Sequence, residues 1–168
     1  MSRQSITAGL FAVLVFVASP VLAARPNLTG KWSLDKSKSQ GVAPVISEQI
    51  MTITQAEEQI NVENNLVINQ VKQTISDSYT PNGQEVEFTW KRPNGSEGAG
   101  KRTAKWSADG KAMEVTQEAL FDSPPGPVTW QSQQKWTLSD DGKTLTVETT
   151  LNILPFTTLP LKSVFVKQ

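Results

Sequence analysis

The chain contains no cysteine, no histidine and a single tyrosine. Without cysteine there is no disulfide and no zinc–thiolate site. Without histidine the usual general base is missing, and with it the Ser-His-Asp and Cys-His constellations and most transition-metal sites. An excess of one charge is lacking too: 16 basic and 16 acidic residues are interspersed, for a formal net charge of +0. That balance gives no electrostatic footprint for nucleic acid or an anionic surface. Heptads and long 3.6-residue periodicity are absent. The acidic pairs Glu57-Glu58 and Asp140-Asp141 fall in turn sequences, a poor setting for a calcium or glycosidase site. The composition therefore implies no metal, no cofactor and no nucleic-acid partner.

The first two dozen residues read as a leader. Arg3 supplies a basic start, Ile6 to Val17 is apolar, and Pro20-Val21-Leu22-Ala23 suits a signal peptidase cutting after Ala23, or alternatively after Ala24. The apolar run falls short of the ~20 residues of a membrane span, although an uncleaved anchor is the competing reading. No cysteine follows it, so a lipid anchor is excluded. The expectation is a signal peptide over 1–23, one domain over 24–168, export to a periplasmic or extracellular compartment, and no stable membrane span once the leader is gone. The sequons Asn27-Leu28-Thr29 and Asn94-Gly95-Ser96 carry sugar only in a eukaryotic secretory route. The remaining length suits a single domain able to bury about 68–70% of its unfolded surface.

From Leu28 onward period-2 alternation dominates. Strands are expected over about 28–34, 47–55, 60–68, 71–79, 85–91, 101–106, 113–119, 128–138, 145–153 and 161–167. Strand two carries Ile50, Thr52 and Thr54 on one side. The fifth separates Val86, Phe88 and Trp90 from Glu85, Glu87, Thr89 and Lys91. Residues 35–44 read as a loop, or at most one helical turn. Pro81-Asn82-Gly83, Ala108-Asp109-Gly110 and Ser139-Asp140-Asp141-Gly142 read as turns. Pro124-Pro125-Gly126-Pro127 is expected to break the ladder, because proline cannot donate to a sheet, and Pro155 to Pro160 is expected to be a loop. The pattern predicts an all-β, antiparallel up-and-down meander of about 8–10 strands closing into a barrel, since closure removes the edges of so wide a sheet. An open or split sandwich, with its corner at Pro124–Pro127, is the alternative.

The segment Thr29-Gly30-Lys31-Trp32, at the head of the first strand, resembles the opening Gly-x-Trp of the calycin superfamily, which includes lipocalins, fatty-acid-binding proteins and avidins. The stretch from Lys135 to Val147 resembles a strand-turn-strand pattern of exported bacterial lipocalin-like proteins of unassigned function. The resemblance implies a lipocalin-like barrel with Gly30 and Trp32 as structural residues. Trp32 would close the floor, with Lys162 or Lys167 lying across it. The Thr-Asp-Tyr loop of lipocalins is absent, their disulfide cannot form, and the closing basic residue is lysine rather than arginine.

If Trp, Val, Ile and Leu mark the inner face, several polar residues share it. Burying such groups unpaired costs about 1–3 kcal/mol each, so together they suggest a wet cavity. Asn64, Gln73, Asp77, Arg102, Gln117, Ser132 and Gln134 are the candidate polar contacts to a ligand, with Trp90, Trp106 and Trp130 as apolar walls; Thr149 shares the face. Arg102 could grip a ligand carboxylate, or be neutralised by Asp77. A solvated Arg102 at the strand end, a register slip across a bulge, and tryptophans that serve only as core are the plainer alternatives.

The leading functional reading is an exported, non-catalytic carrier of a small apolar or amphipathic ligand. A structural or interaction module of the cell envelope, with a filled barrel and partner-binding loops at 92–100 and 124–127, is the first alternative. An isomerase or hydrolase using Asp77, a Glu or Tyr79 with a burial-shifted pKa is the second.

Overall fold

In the computed structural model, which describes residues 25–91, 97–123, 126–155 and 157–168, ten strands form one antiparallel sheet. They are β1 (Gly30–Leu34), β2 (Ile46–Gln55), β3 (Ile60–Ile68), β4 (Val71–Tyr79), β5 (Asn82–Lys91), β6 (Glu97–Trp106), β7 (Ala112–Ser123), β8 (Gly126–Leu138), β9 (Thr144–Leu154) and β10 (Thr157–Lys167). Their order is β4-β3-β2-β1-β10-β9-β8-β7-β6-β5. The first and last strands pair, as Trp32 opposite Lys167 and Leu34 opposite Phe165. The fold is the expected all-β meander, curled as one sheet rather than split into a sandwich, and among the described residues the ladder does not close, because β4 and β5 are unpaired. The expected leader, 1–23, lies outside the described residues. Among the described residues no helix is long and apolar enough to cross a membrane.

Most connections follow from turn chemistry. Asn69 and Gln70 both adopt positive φ (49° and 66°) between the paired Ile68 and Val71, the geometry of a two-residue hairpin whose twist matches its strands. Ser107-Ala108-Asp109-Gly110 and Ser139-Asp140-Asp141-Gly142 repeat one design. In each, the serine hydroxyl donates to the aspartate (2.6 and 2.7 Å) and the glycine N–H donates to the serine carbonyl (2.8 Å in both). These serine bonds hold the Asp109 and Asp141 carboxyls below their ordinary range.

One turn behaves differently. Pro81-Asn82-Gly83 does reverse the chain, with the Asn82 N–H donating to the Thr80 carbonyl (2.8 Å). Yet β4 and β5 stand at opposite ends of the strand order and are not paired. The sheet curls enough for one side-chain pair to span the gap between its two ends. Arg102 on β6 reaches Asp77 on β4 at 2.8 Å, with its guanidinium 4.0 Å from the Phe88 ring centroid on β5.

Two proline segments also depart from the local reading. Ser123 pairs with Gly126 and Asp122 with Pro127, so the β7–β8 ladder takes in the second half of the expected break, while 124–125 lie outside the described residues. Pro127 sits second in its strand, one residue from the last pair of the β7–β8 ladder. Pro160 lies inside β10, opposite Thr150. Lys162 directs its N–H toward Gln40, away from β9. Pro160, two residues earlier, shares that direction by strand periodicity, so its missing N–H costs the β9 ladder nothing.

The buried core fills one end of the barrel. Leu28, Trp32, Met113 and Leu145 are fully buried, beside Phe165, Ile53, Ile60 and Trp136. Trp32 donates its indole N–H to the Leu28 carbonyl (3.0 Å), and Leu28 is itself held by Gln55, whose side-chain oxygen accepts from its N–H (2.9 Å). Lys167 places its ammonium 5.2 Å from the Trp32 ring centroid. Of the two lysines proposed for that position, Lys162 instead lies on the outer face, bridged to Gln40. A Cβ on Gly30 would fall 2.8 Å from the Lys167 stem, so glycine here makes room for the lysine over the tryptophan.

Candidate ligand-binding face

Residues directly opposite in an antiparallel ladder share a face, so the strand registers define the inner wall. One row runs Val86, Arg102, Gln117, Ser132, Leu151, Leu159 from β5 to β10. Its centre is polar and buried: Ser132 is 1% exposed, Gln117 6% and Arg102 7%. Its two ends are apolar and open, with Val86 43% and Leu159 41% exposed. On the far wall Ile75 and Val71 of β4 also face inward, opposite Asn64 and Ile68, and are likewise open to solvent.

Alternation places all the polar candidates on this inner face. Arg102 donates from Nη1 to Asp77 Oδ1 (2.8 Å) and weakly to the Ser78 carbonyl (3.5 Å), while its buried Nε has no partner. Its guanidinium lies between the Phe88 ring and the Tyr79 ring, 5.3 Å from the centroid of the latter. Trp136 donates to Gln134 (2.9 Å), which is 3.4 Å from the Ser132 hydroxyl. Gln117 and Ser132 are cross-strand partners. On the other wall Asn64 accepts from Gln49 (3.1 Å), and Gln73 is half-buried opposite Leu66. Thr149, opposite Gln134, is half-buried as well.

The tryptophans divide. Trp130 is half-buried on the inner wall, between Ala119 and Ile153 in register. Trp106 packs against the buried cluster, with the Arg25 guanidinium 5.9 Å from its centroid, apart from the polar row. The Trp90 backbone belongs to β5, opposite Gly98, but its side chain lies outside the described residues. So do the side chains at the two expected loop tips, 92–96 and 124–125.

Tyr79 is buried against Trp136, with ring centroids 5.9 Å apart in an edge-to-face arrangement. Burial pushes its phenol well above the usual range, and the Asp77 charge adds to the effect; Arg102 and a hydrogen bond with Gln117 oppose it. Such a phenol stays protonated at neutral pH and can donate but not abstract a proton. Among the described residues no group of three or more carboxylates could hold a metal ion.

Gln49 was not marked by the sequence pattern. A register shift between Ile46 and Glu48 precedes it, and Ile50, Thr52 and Thr54, the more conspicuous set, face outward while Gln49, Met51 and Ile53 face in. An open groove of about 650 Å³ lies on the outer side of the sheet. Along it Lys105, Glu114, Lys135, Glu148 and Lys162 alternate in sign across five strands in register.

No family model matches the chain, and no curated protein matches it. Fifteen chains of solved structures do. Among them is zebrafish ileal bile acid-binding protein complexed with cholic acid, with a TM-score of 0.54 and 13% sequence identity, covering 84% of this chain and 98% of that one. At that identity the likeness concerns the fold, and the fold is calycin-like.

Proposed function

We propose that the protein is an exported, non-catalytic carrier that holds a small apolar or amphipathic molecule against the inner face of the barrel. The observation that carries the reading is the open apolar surface of Val71, Ile75, Val86 and Leu159, all turned inward. A barrel filled by its own side chains would cover these groups, because apolar surface left in water forfeits about 25 cal/mol per Å². The other end is packed around Trp32, so the ligand enters from the end away from it. A solved structure of similar fold is named as a bile acid-binding protein in complex with cholic acid, which is consistent with this use of the scaffold. Export follows from the leader over 1–23.

Titration of the mature chain with fatty acids, retinoids, bile acids and porphyrins, read by tryptophan fluorescence, tests the proposal. A saturable change at micromolar concentration, lost on Val86→Asp, is expected. Absence of any binder, with a solvent-excluded inner face by hydrogen exchange, would remove it.

A competing reading, an interaction module of the cell envelope, draws on the alternating Lys–Glu row of the outer groove. Lys135→Glu interrupts that row. Under the carrier reading it leaves ligand affinity unchanged.

A further inference from the structure

The chemistry of the inner face selects among ligands, and we infer that the carrier takes an uncharged amphipath in preference to a free acid. The inference rests on the carrier reading above. Among the described residues on the inner wall, the charged side chains are Asp77, Arg102 and Lys167. Lys167 lies over Trp32 at the closed end and is exposed. The other two are joined at 2.8 Å, and their opposite charges cancel.

Arg102 is also poorly placed to turn to a ligand. Its side chain is 8% exposed, its guanidinium is stacked on Phe88, and Nη1 is engaged by Asp77. A carboxylate brought to this row would meet Asp77 as a like charge, with no uncompensated cation to balance it. Removing that carboxylate from water is then opposed. What the wall does offer is neutral. Gln73, the Gln49–Asn64 pair, Gln134 and Thr149 are half-buried amides and a hydroxyl, set among open Val71, Ile75, Val86 and Leu159. Such groups meet a hydroxyl, ester, ketone or amide by hydrogen bonding, without a charge to neutralise.

The test compares three probes of one chain length: a fatty acid, its methyl ester and the matching alkylamine, titrated against the mature protein by calorimetry at neutral pH. The ester is expected to bind at least tenfold more tightly than either charged probe. Asp77→Asn keeps an acceptor for Arg102 but leaves the guanidinium uncompensated, and should move the acid-to-ester affinity ratio at least tenfold toward the acid. An acid that binds wild type as tightly as the ester, or a ratio unmoved in a folded Asp77→Asn chain, overturns the inference. If Asp77→Asn fails to fold, the wild-type comparison decides alone. Failure of all three probes to bind overturns the carrier reading itself, a separate outcome.

Discussion

Arg102 Nη1 sits 2.8 Å from Asp77 Oδ1, although the two residues belong to strands near opposite ends of a ten-strand order. No backbone hydrogen bond of the sheet brings these strands together; the ion pair bridges the seam that the ladder leaves open. The partners are unequally buried, with side-chain exposures of 8% and 24%. Removing one therefore differs from removing the other. Asp77→Ala strands a buried guanidinium and should cost about 3 kcal/mol. Arg102→Met leaves a carboxylate that water already reaches and should cost about 1–2 kcal/mol. Urea denaturation of both variants checks the order, and a larger loss for Arg102→Met contradicts it.

Trp32 offers a second test. It is fully buried, and its indole N–H is spent on Leu28. Trp32→Ala should lose about 3–5 kcal/mol through cavity formation. Trp32→Phe, which keeps most of the volume but leaves the Leu28 carbonyl without its donor, should lose less, about 1–3 kcal/mol. Thermal melts and hydrogen exchange of β1 and β10 amides read both effects.

Gly100 supports the Arg102 stack indirectly. A Cβ there would run into the Glu118 carbonyl and lie 2.8 Å from the Phe88 ring. Gly100→Val should therefore destabilise the chain by about 1–3 kcal/mol. A wild-type melting curve for this variant would show that β5 yields freely.

The chain has one tyrosine, so an alkaline absorbance titration reports Tyr79 alone. Its phenol is raised in the folded state, chiefly by burial. Above pH about 10, the ordinary phenol value, the unfolded chain loses this proton and the folded chain keeps it. Stability must then fall as pH rises beyond about 10. Native protein should show no phenolate signal until it unfolds, and Tyr79→Phe should flatten the alkaline loss. Ionisation near the ordinary value in folded protein would contradict the buried geometry.

Strand alternation was legible because the register shifts fall at the starts of β2 and β5, between Ile46 and Glu48 and between Asn82 and Glu85, and leave the remaining pairs in period; it put Asn64, Gln73, Asp77, Arg102, Gln117, Ser132 and Gln134 on one wall, and it paired Asp77 with Arg102. What it could not carry was long-range order. Pro81-Asn82-Gly83 has the local chemistry of a hairpin, and only the pairing of β1 with β10 decides that β4 and β5 become edges. Pro160 looks like a break until the direction of its missing N–H is known. Gln49 escaped because the sequence pattern singles out Ile50, Thr52 and Thr54, the opposite face of a strand that alternates unbroken from Glu48 to Gln55, and Trp106 shares a face with the open wall while packing into the filled end.

The seam between β4 and β5 has a consequence for solubility. Unsatisfied strand borders ordinarily recruit other molecules into fibres. Here the β4 and β5 borders are left unpaired, and one side-chain link from β6 to β4 spans the gap between them. A chain that loses that link should begin to self-associate before it loses its secondary structure.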